Sequence, residues 1–350
     1  MVLTDGPPHR VARVDAPAPG RVESRLRGEW ADALRRLRPS SVVSNDEFCL
    51  ADLARLRAGL GLPAVTPVGL EGYLDKVVMK SRLAEHGIDV PRFADLGLVV
   101  AGVPLPPGLG VPVVVKPRVG ANSGGVRVVR SEDDWAAWTA EHAGEDGWQV
   151  EEHLDAPTAF VDALVVDGSY RPVLVGRYLG PLLPEPDVDV LGAVSVPPDD
   201  LLWRRAADLG GRVAATLGAD GRFATHLELF DTDDGLVVME VCARAPGAMV
   251  SEMARVAAGP NLETAHLLLQ AGRPAPAVGA TGGHAAWLSV LARGGATPVV
   301  PVGLGSSVTA HRLPPDPGAR GRHVALLVLL TSPDAALLAA DVERCRAHSW

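Results

Sequence analysis

The segment GRFATHLELFDTDDGLVVMEVCARAPG, residues 221–247, decides the fold of this chain. It contains two short apolar runs, residues 223–230 and 236–241, joined by the acidic turn DTDDG. An Asp-Gly pair that closes such a turn predicts a β-hairpin, because glycine tolerates positive φ. Each predicted strand carries one carboxylate in apolar surroundings, Glu228 in the first and Glu240 in the second.

The two carboxylates of this hairpin predict a metal site. Residues that face each other across a hairpin lie about 5 Å apart, and like charges that close are unfavourable unless a cation or a shared proton neutralises them. Arg244 follows four residues after Glu240, just before a Pro-Gly break. Oxygen ligands for a hard cation, with a guanidinium for phosphate, suit a magnesium–nucleotide site. The alternative is a surface hairpin with solvated acids and a structural arginine.

Composition limits the class of protein. The 350 residues are enough for two or three domains, and hydrophobic and charged fractions of 47% and 21% are those of a globular protein. A net charge of −9 disfavours nucleic acid as the main partner. Three scattered cysteines argue against a disulfide framework or a zinc cluster, and no apolar run reaches the length of a membrane span. We therefore expect a cytoplasmic protein without a signal peptide.

Residues 111–129, VPVVVKPRVGANSGGVRVV, form the second informative stretch. An apolar strand delivers Lys116, and a loop of small residues at 120–125 leads into another short strand. Small residues let backbone N–H groups approach a polyphosphate, and a strand-borne lysine adds a fixed positive charge. The stretch is neither a Walker loop nor a dinucleotide fingerprint. It predicts a phosphate-binding loop or, alternatively, an ordinary turn.

Taken in chain order, these motifs resemble those of the ATP-grasp superfamily. LDKVVMKSRLAEHGIDVP resembles the helix whose lysine reaches the nucleotide phosphates, and VVVKP with GANSGGV resembles the lysine and mobile loop that close over ATP. VEEHL resembles the hinge strand that reads adenine by main-chain groups. The ATP-binding residues implied by the resemblance are Lys76, Lys116, Gly120, Ser123, Gly124, Gly125, Glu151, Glu152 and Leu154.

The resemblance implies a mixed α/β (α+β) fold, the ATP-grasp fold, in which helices flank antiparallel sheet. In the N-terminal part, residues 40–44 predict a buried strand, and farther on the Pro- and Gly-rich residues 176–198 predict a substrate or lid loop. The implied parts are a short open α/β domain at residues 1–67, linker helices at 68–90, a lid domain at 91–154 and a C-terminal catalytic domain at 155–350.

The resemblance also implies an activity, the ATP-dependent joining of a carboxylate to an amine through an acyl-phosphate. Amino acids are the first choice of substrate, with dipeptide synthesis in secondary metabolism as the setting and a homodimer as the assembly. Mg²⁺, or Mn²⁺ in its place, would be held by Glu228 and Glu240, with Glu240 and Arg244 in catalytic roles. His226 falls on the same strand face as Glu228, as a catalytic candidate that positions substrate or as a structural histidine.

Two positions depart from the superfamily pattern. Cys242 stands where many members have a metal-binding asparagine, although a Cys-Ala-Arg pattern resembles that of L-amino-acid (dipeptide) ligases. Thr158 stands where many members have a glutamate for a ribose or metal contact. Two alternatives remain open at this point: a ligase or carboxylase that acts on another carboxylate or on bicarbonate, and a nucleotide-binding regulatory protein that has lost turnover.

Overall fold

Two antiparallel sheets, one of eight strands and one of four, organise the molecule. The computed structural model describes residues 2–4, 22–24, 29–121, 123–180, 182, 189–293, 298–313, 322–348 and 350. The strands are β1 (Val2–Thr4), β2 (Val22–Ser24), β3 (Phe93–Gly97), β4 (Val113–Pro117), β5 (Arg127–Val129), β6 (Trp148–Glu152), β7 (Thr158–Val166), β8 (Ser169–Tyr178), β9 (Val190–Val196), β10 (Arg222–Thr232), β11 (Gly235–Cys242), β12 (His284–Arg293), β13 (Ser307–Arg312) and β14 (Arg322–Ser332).

Eight α-helices and two 3₁₀ turns complete the described elements. The 3₁₀ turns are Glu47–Cys49 and Leu70–Tyr73. The helices are α1 (Trp30–Leu37), α2 (Leu50–Gly59), α3 (Lys76–Glu85), α4 (Glu132–Glu141), α5 (Leu201–Leu217), α6 (Val250–Ala258), α7 (Leu262–Gln270) and α8 (Ala335–Arg346).

The large sheet has the strand order β11-β10-β7-β8-β9-β12-β14-β13, and the small sheet has the order β3-β6-β4-β5. All pairs in both sheets are antiparallel, whereas β1 and β2 form a separate parallel pair. Helices α3 and α5 cover one face of the large sheet, and α6 and α7 cover the other. The predicted mixed class, with helices on antiparallel sheet, is confirmed.

Strand β7 runs through the middle of this sandwich and is buried at every position except its last. Because helices lie on both faces, its sequence TAFVDALVV does not alternate between apolar and polar residues. Asp162 is the one ionisable residue in the strand, and its side chain is completely buried. A carboxylate in such a position needs a partner, and the partner lies in the candidate site.

The small sheet has a core of its own. Val113 and Val115 of β4 pack with Val150 of β6 against two tryptophans of α4, Trp135 and Trp138. The Trp138 indole also meets the Trp148 ring edge-on, at a centroid distance of 5.3 Å. This packing makes a rigid base for the loop between β4 and β5.

The prediction of a strand at residues 40–44 is wrong. These residues have no strand partner, because side chains rather than a neighbouring strand bind their backbone. The Gln270 side chain accepts from the N–H of Ser44 and donates to its carbonyl, and Arg57 donates to the carbonyl of Val42. The segment is therefore tied to α7 and α2 individually, and the sequence pattern alone does not reveal this.

The prediction of a continuous loop at residues 176–198 is also wrong at both ends. Strand β8 continues to Tyr178, and β9 begins at Val190, because the apolar residues on both flanks join the large sheet. Residues 181 and 183–188 of the predicted loop lie outside the described residues. Strand β13 was not predicted, since all of its six residues are exposed and give no apolar signal.

The packing of Phe160 of β7 against Gly176 of β8 gives a test of this fold. The Phe160 ring fills the space where a Cβ at position 176 would stand. We expect Gly176→Ala to lower the free energy of unfolding by about 1–3 kcal/mol, because the overpacked ring must move. Urea denaturation measures the change. The control Gly59→Ala, where a Cβ meets nothing within 4 Å, should be neutral or slightly stabilising, and equal behaviour of the two variants would contradict the packing.

Candidate active site

The hairpin predicted from residues 221–247 is present, with β10 paired to β11 and Glu228 directly opposite Glu240. Directly opposite residues project to the same face of a sheet, so both carboxylates lie on one side. The register shifts immediately afterwards, because Leu229 pairs with Val238 and leaves Met239 as the extra residue of a bulge. The two acids of the sequence prediction are thus brought together, each side chain about a quarter exposed.

Lys76 connects these acids to the glycine-rich loop. It is the first residue of α3, where the Asp75 side chain caps the helix by accepting from the N–H groups of Val77 and Val78. Its Nζ donates to the carbonyl oxygen of Gly120 at 2.8 Å and lies 3.3 Å from Oε1 of Glu240. The lysine is nearly completely buried, so its charge acts on both elements with little screening by water.

The loop itself is a tight turn between β4 and β5. Ser123 and Gly125 have positive φ, and the N–H of Val126 donates to the carbonyl of Ser123. A Cβ at position 125 would lie 3.0 Å from Cγ of Pro117, so this position favours glycine for space as well as for φ. Gly120 and Gly124 lie in the same turn, whereas residue 122 lies outside the described residues.

Lys116 of β4 is bound to Glu151 of β6 at 2.6 Å, and Lys80 of α3 is bound to the same carboxylate at 3.0 Å. All three side chains are almost completely buried. Burial alone would raise the pKa of Glu151, but the two lysines outweigh it and lower that pKa. Burial alone would lower the pKa of Lys116, but Glu151 and Glu240 outweigh it and raise that pKa.

The predicted hinge strand is β6, and two of its groups have partners within the chain. Glu151 contributes its side chain to the lysines, and the N–H of Glu152 already donates to the carbonyl of Arg92. The Glu152 carboxylate also pairs with the Arg92 guanidinium at 2.7 Å. The Glu152 N–H is thus used within the small sheet, where β6 lies between β3 and β4, and adenine reading by main-chain groups of Glu151 and Glu152 stays a prediction. Leu154 follows the end of β6, and its main-chain role stays a prediction.

His226 lies between the buried Asp162 and the partly exposed Glu228. Its Nδ1 is 2.7 Å from Oδ1 of Asp162, and its Nε2 is 3.5 Å from Oε1 of Glu228. The Tyr178 hydroxyl donates to the same Glu228 oxygen at 2.6 Å. Burial alone would lower the pKa of His226, but the two acids raise it to about 10. The protonated histidine therefore places a positive charge beside Glu228. The sequence did not indicate that His226, Asp162 and Tyr178 lie together with this carboxylate.

Arg244 follows β11 and is held by the N-terminal part of the chain. Its Nε lies 2.7 Å from Oε2 of Glu47, and its Nη1 donates to the carbonyl of Ala245. The Asn45 side chain accepts from the N–H of Ala245. Burial raises the pKa of Glu47, although Arg244 opposes the shift. The guanidinium is thus fixed beside the hairpin, and its second terminal nitrogen takes part in none of these contacts.

The two departures from the superfamily pattern have different surroundings. Burial raises the pKa of Cys242 to about 12, so its thiol is not a nucleophile at neutral pH. Cys242 is the cross-strand partner of His226, and its Sγ lies 3.7 Å from the carbonyl oxygen of that residue. Thr158 is buried at the start of β7.

The carboxylates fit a magnesium ion that takes its remaining ligands from a nucleotide. Within the part of the chain that the structure describes, no group of three or more His, Cys, Asp or Glu side chains is placed to hold a metal. Mg²⁺ commonly uses one or two carboxylates together with waters and substrate phosphates, rather than a complete protein cage. Glu228 and Glu240 supply two such carboxylates, and Mn²⁺ accepts the same hard oxygens.

None of the helices among the described residues is long and apolar enough to cross a membrane.

Lys80 is the site residue that sequence reasoning missed, since a lysine on a helix is usually solvated. A signal was nevertheless present in the composition. Of the 33 lysine and arginine residues only three are lysines, namely Lys76, Lys80 and Lys116. A chain that otherwise uses arginine for its cations keeps lysine only at these positions, and the structure buries all three in one place.

The raised pKa of His226 predicts a pH dependence of stability. A histidine whose folded pKa is near 10, against about 6.5 when unfolded, contributes fully below pH 6.5 and loses that contribution as the pH rises toward 10. We expect the free energy of unfolding of the wild type, relative to His226→Gln, to fall across this range. Urea denaturation at several pH values measures it, with the exposed His311→Gln as control. A difference that does not change with pH would contradict the assignment.

No family model matches the chain. The chain is 27% identical over 258 residues to the uncharacterised protein y4rH of Sinorhizobium fredii, covering 71% of this chain and 52% of that protein. It is 25% identical over 224 residues to an L-arginine-specific L-amino acid ligase of Bacillus subtilis, covering 61% and 53%. The chain thus spans about half the length of the curated relatives it matches.

Solved structures share the fold over most of the chain. An L-amino acid ligase from Bacillus licheniformis has a TM-score of 0.69 at 18% identity, covering 93% of this chain and 86% of that one. N5-carboxyaminoimidazole ribonucleotide synthetase from Thermus thermophilus gives 0.68 at 18%, covering 95% and 89%. Biotin carboxylase from Campylobacter jejuni gives 0.66 at 16%, covering 91% and 77%. The chain therefore has the same fold as these enzymes, the ATP-grasp fold.

Proposed function

We propose that this protein is an ATP-dependent ligase that joins a carboxylate to an amine through an acyl-phosphate, with release of ADP and phosphate. The observation that carries the proposal is the contact of Lys76 with both Gly120 and Glu240. One ammonium group there joins the glycine-rich loop to a metal-facing carboxylate. An ammonium group at this place supplies positive charge where a polyphosphate would lie between the loop and a divalent cation.

Each residue of the proposed site has its own task in the reaction. Lys76 and Lys116 bind phosphate oxygens and offset the negative charge that builds up during phosphoryl transfer. Glu228 and Glu240 hold Mg²⁺, which supplies further charge stabilisation when bound. Arg244, fixed by Glu47, is oriented toward the substrate carboxylate or the oxyanion of the later tetrahedral intermediate, since both match its planar fork. The loop at residues 120–125 excludes water from the acyl-phosphate, which hydrolyses readily.

We further propose that both substrates are amino acids and the product a dipeptide. The support is the sequence similarity to a protein named as an L-arginine-specific L-amino acid ligase and the fold similarity to another L-amino acid ligase. The Cys242-Ala243-Arg244 sequence agrees with that subgroup. We also propose a cytoplasmic location and a homodimer, both on the resemblance and composition alone.

A second candidate is a ligase or carboxylase that acts on another carboxylate or on bicarbonate. The specific observation in its favour is the TM-score of 0.68 with a carboxyaminoimidazole ribonucleotide synthetase, close to that of the amino acid ligase. Fold similarity at this level of identity does not separate the two chemistries.

We expect Glu240→Ala to lower ATP turnover at least about 100-fold, because the metal that binds the phosphates would lose an oxygen ligand placed on a rigid strand. Phosphate release with Mg-ATP and substrates measures the effect, and circular dichroism confirms that the fold is retained. The control is Glu343→Ala, which removes an exposed carboxylate of α8 that pairs with Arg346 at 2.8 Å. Near-normal turnover of the Glu240 variant would refute the site.

Substrate identity is tested by measuring ADP and phosphate release with Mg-ATP against pairs of amino acids, with mass spectrometry of the products. We expect release that requires two amino acids and yields a dipeptide mass. Release that instead requires bicarbonate or another acid would replace the amino acids with the second candidate. Tight ATP binding without turnover on any acid would favour a regulatory protein.

A further inference from the structure

The three lysines of the chain converge on one buried carboxylate and its surroundings. Lys116 and Lys80 share the two oxygens of Glu151, and Lys76 lies beside Glu240. Lys116 and Lys76 have direct tasks in the proposed ATP site. Lys80 has none, because its side chain is completely buried and offers no surface to a ligand.

Lys80 instead joins three elements. It lies on α3, its Nζ binds Oε2 of Glu151 on β6 at 3.0 Å, and the same Nζ donates to the carbonyl oxygen of Met239 on β11 at 3.2 Å. Met239 is the extra residue of the bulge, and it immediately precedes Glu240. Lys80 thus binds the backbone carbonyl of the bulge residue itself. The ammonium connects the strand of the metal carboxylate to the strand that holds Lys116.

Lys80 also changes the net charge of the buried cluster that it forms with Lys116 and Glu151. Glu151 with Lys116 alone would be a neutral buried pair, and the charge of Lys116 would be offset by its own partner. With Lys80 present, two cations share one anion, and the cluster keeps one surplus positive charge. In a site of low dielectric such a surplus acts strongly on a nearby polyphosphate.

We propose that Lys80 is a positioning residue of the nucleotide site, which offsets Glu151 so that Lys116 serves the phosphates and which binds Met239 so that Glu240 keeps its place. This inference rests on the proposed ATP site and adds to it a residue that touches no ligand. Lysine suits the task because its ammonium is compact and has three donors for a carboxylate and a carbonyl at different angles. Burial lowers the pKa of Lys80 to about 8, so it is largely protonated at pH 7.

The test measures binding of the Mg²⁺ complex of β,γ-imido-ATP, without acid or amine, by isothermal titration calorimetry. Lys80→Gln removes the charge but keeps a hydrogen-bond donor, and we expect it to weaken binding at least tenfold. Arg82→Gln is the matched control on the same helix, since Arg82 binds Gly69 and Glu71 instead. That control should bind the analogue as the wild type does.

The double variant Lys80→Gln with Glu151→Gln separates charge balance from packing. It again leaves one positive charge in the cluster, because the anion and one cation are removed together. We expect it to bind the analogue at least fivefold more tightly than Lys80→Gln alone, although it carries one more substitution in the core. If Lys80→Gln does not fold, the double variant decides alone, and binding more than tenfold weaker than that of the wild type would overturn the inference.

The remaining outcomes are distinct. A Lys80→Gln variant that loses less than tenfold, or a double variant no tighter than the single one, would overturn the role of Lys80 and leave the proposed function standing. A wild type that binds no nucleotide would overturn both. A wild type that binds the analogue but ligates nothing would overturn the proposed function, while the comparison of variants still decides the role of Lys80.

Discussion

The opposition of Glu228 and Glu240 across the β10–β11 hairpin is the constraint on which the rest of the site depends. Two carboxylates fixed on one face repel each other, and the strand ladder does not let them move apart. The surrounding chain supplies cations to both: Lys76 lies beside Glu240, and His226 lies beside Glu228. The negative charge of the pair is thereby partly compensated by the chain itself, so the fold tolerates two acids on one face.

The positive charge of His226, which compensates Glu228, depends in turn on the buried carboxylate of Asp162. Because helices cover both faces, Asp162 of β7 lies where no water reaches its carboxylate. In such surroundings an ion pair with His226 is much stronger than on the surface, and losing either partner would leave an uncompensated charge. Tyr178 of β8 adds a hydroxyl donor to Glu228 from another strand of the same sheet. The Glu228 carboxylate is therefore oriented by Tyr178 of β8 and His226 of β10, and His226 is held in turn by Asp162 of β7.

The N-terminal part of the chain contributes through side chains rather than through sheet pairing. Glu47 fixes the Arg244 guanidinium, and Asn45 binds the backbone beside it. Farther along the same segment, Gln270 and His266 of α7 bind the backbone of Ser44. These contacts explain why residues 40–44 form no strand, since side chains of other elements bind their backbone. The segment serves as a support for the arginine, and its position depends on partners about 200 residues away in sequence.

The sequence by itself determined the elements whose signals are local. The acidic turn DTDDG specified the hairpin, and the small residues after Lys116 specified the loop, because turn chemistry acts over a few residues. The turn by itself would pair Glu228 with Met239, and the bulge at Met239 is what places Glu240 opposite Glu228. Only the tertiary structure decided which charges meet. The pairs Lys80–Glu151, Glu47–Arg244 and Asp162–His226 join residues far apart in the chain. No local pattern specifies such pairs, since they arise when separate elements are packed together and buried charges must find partners.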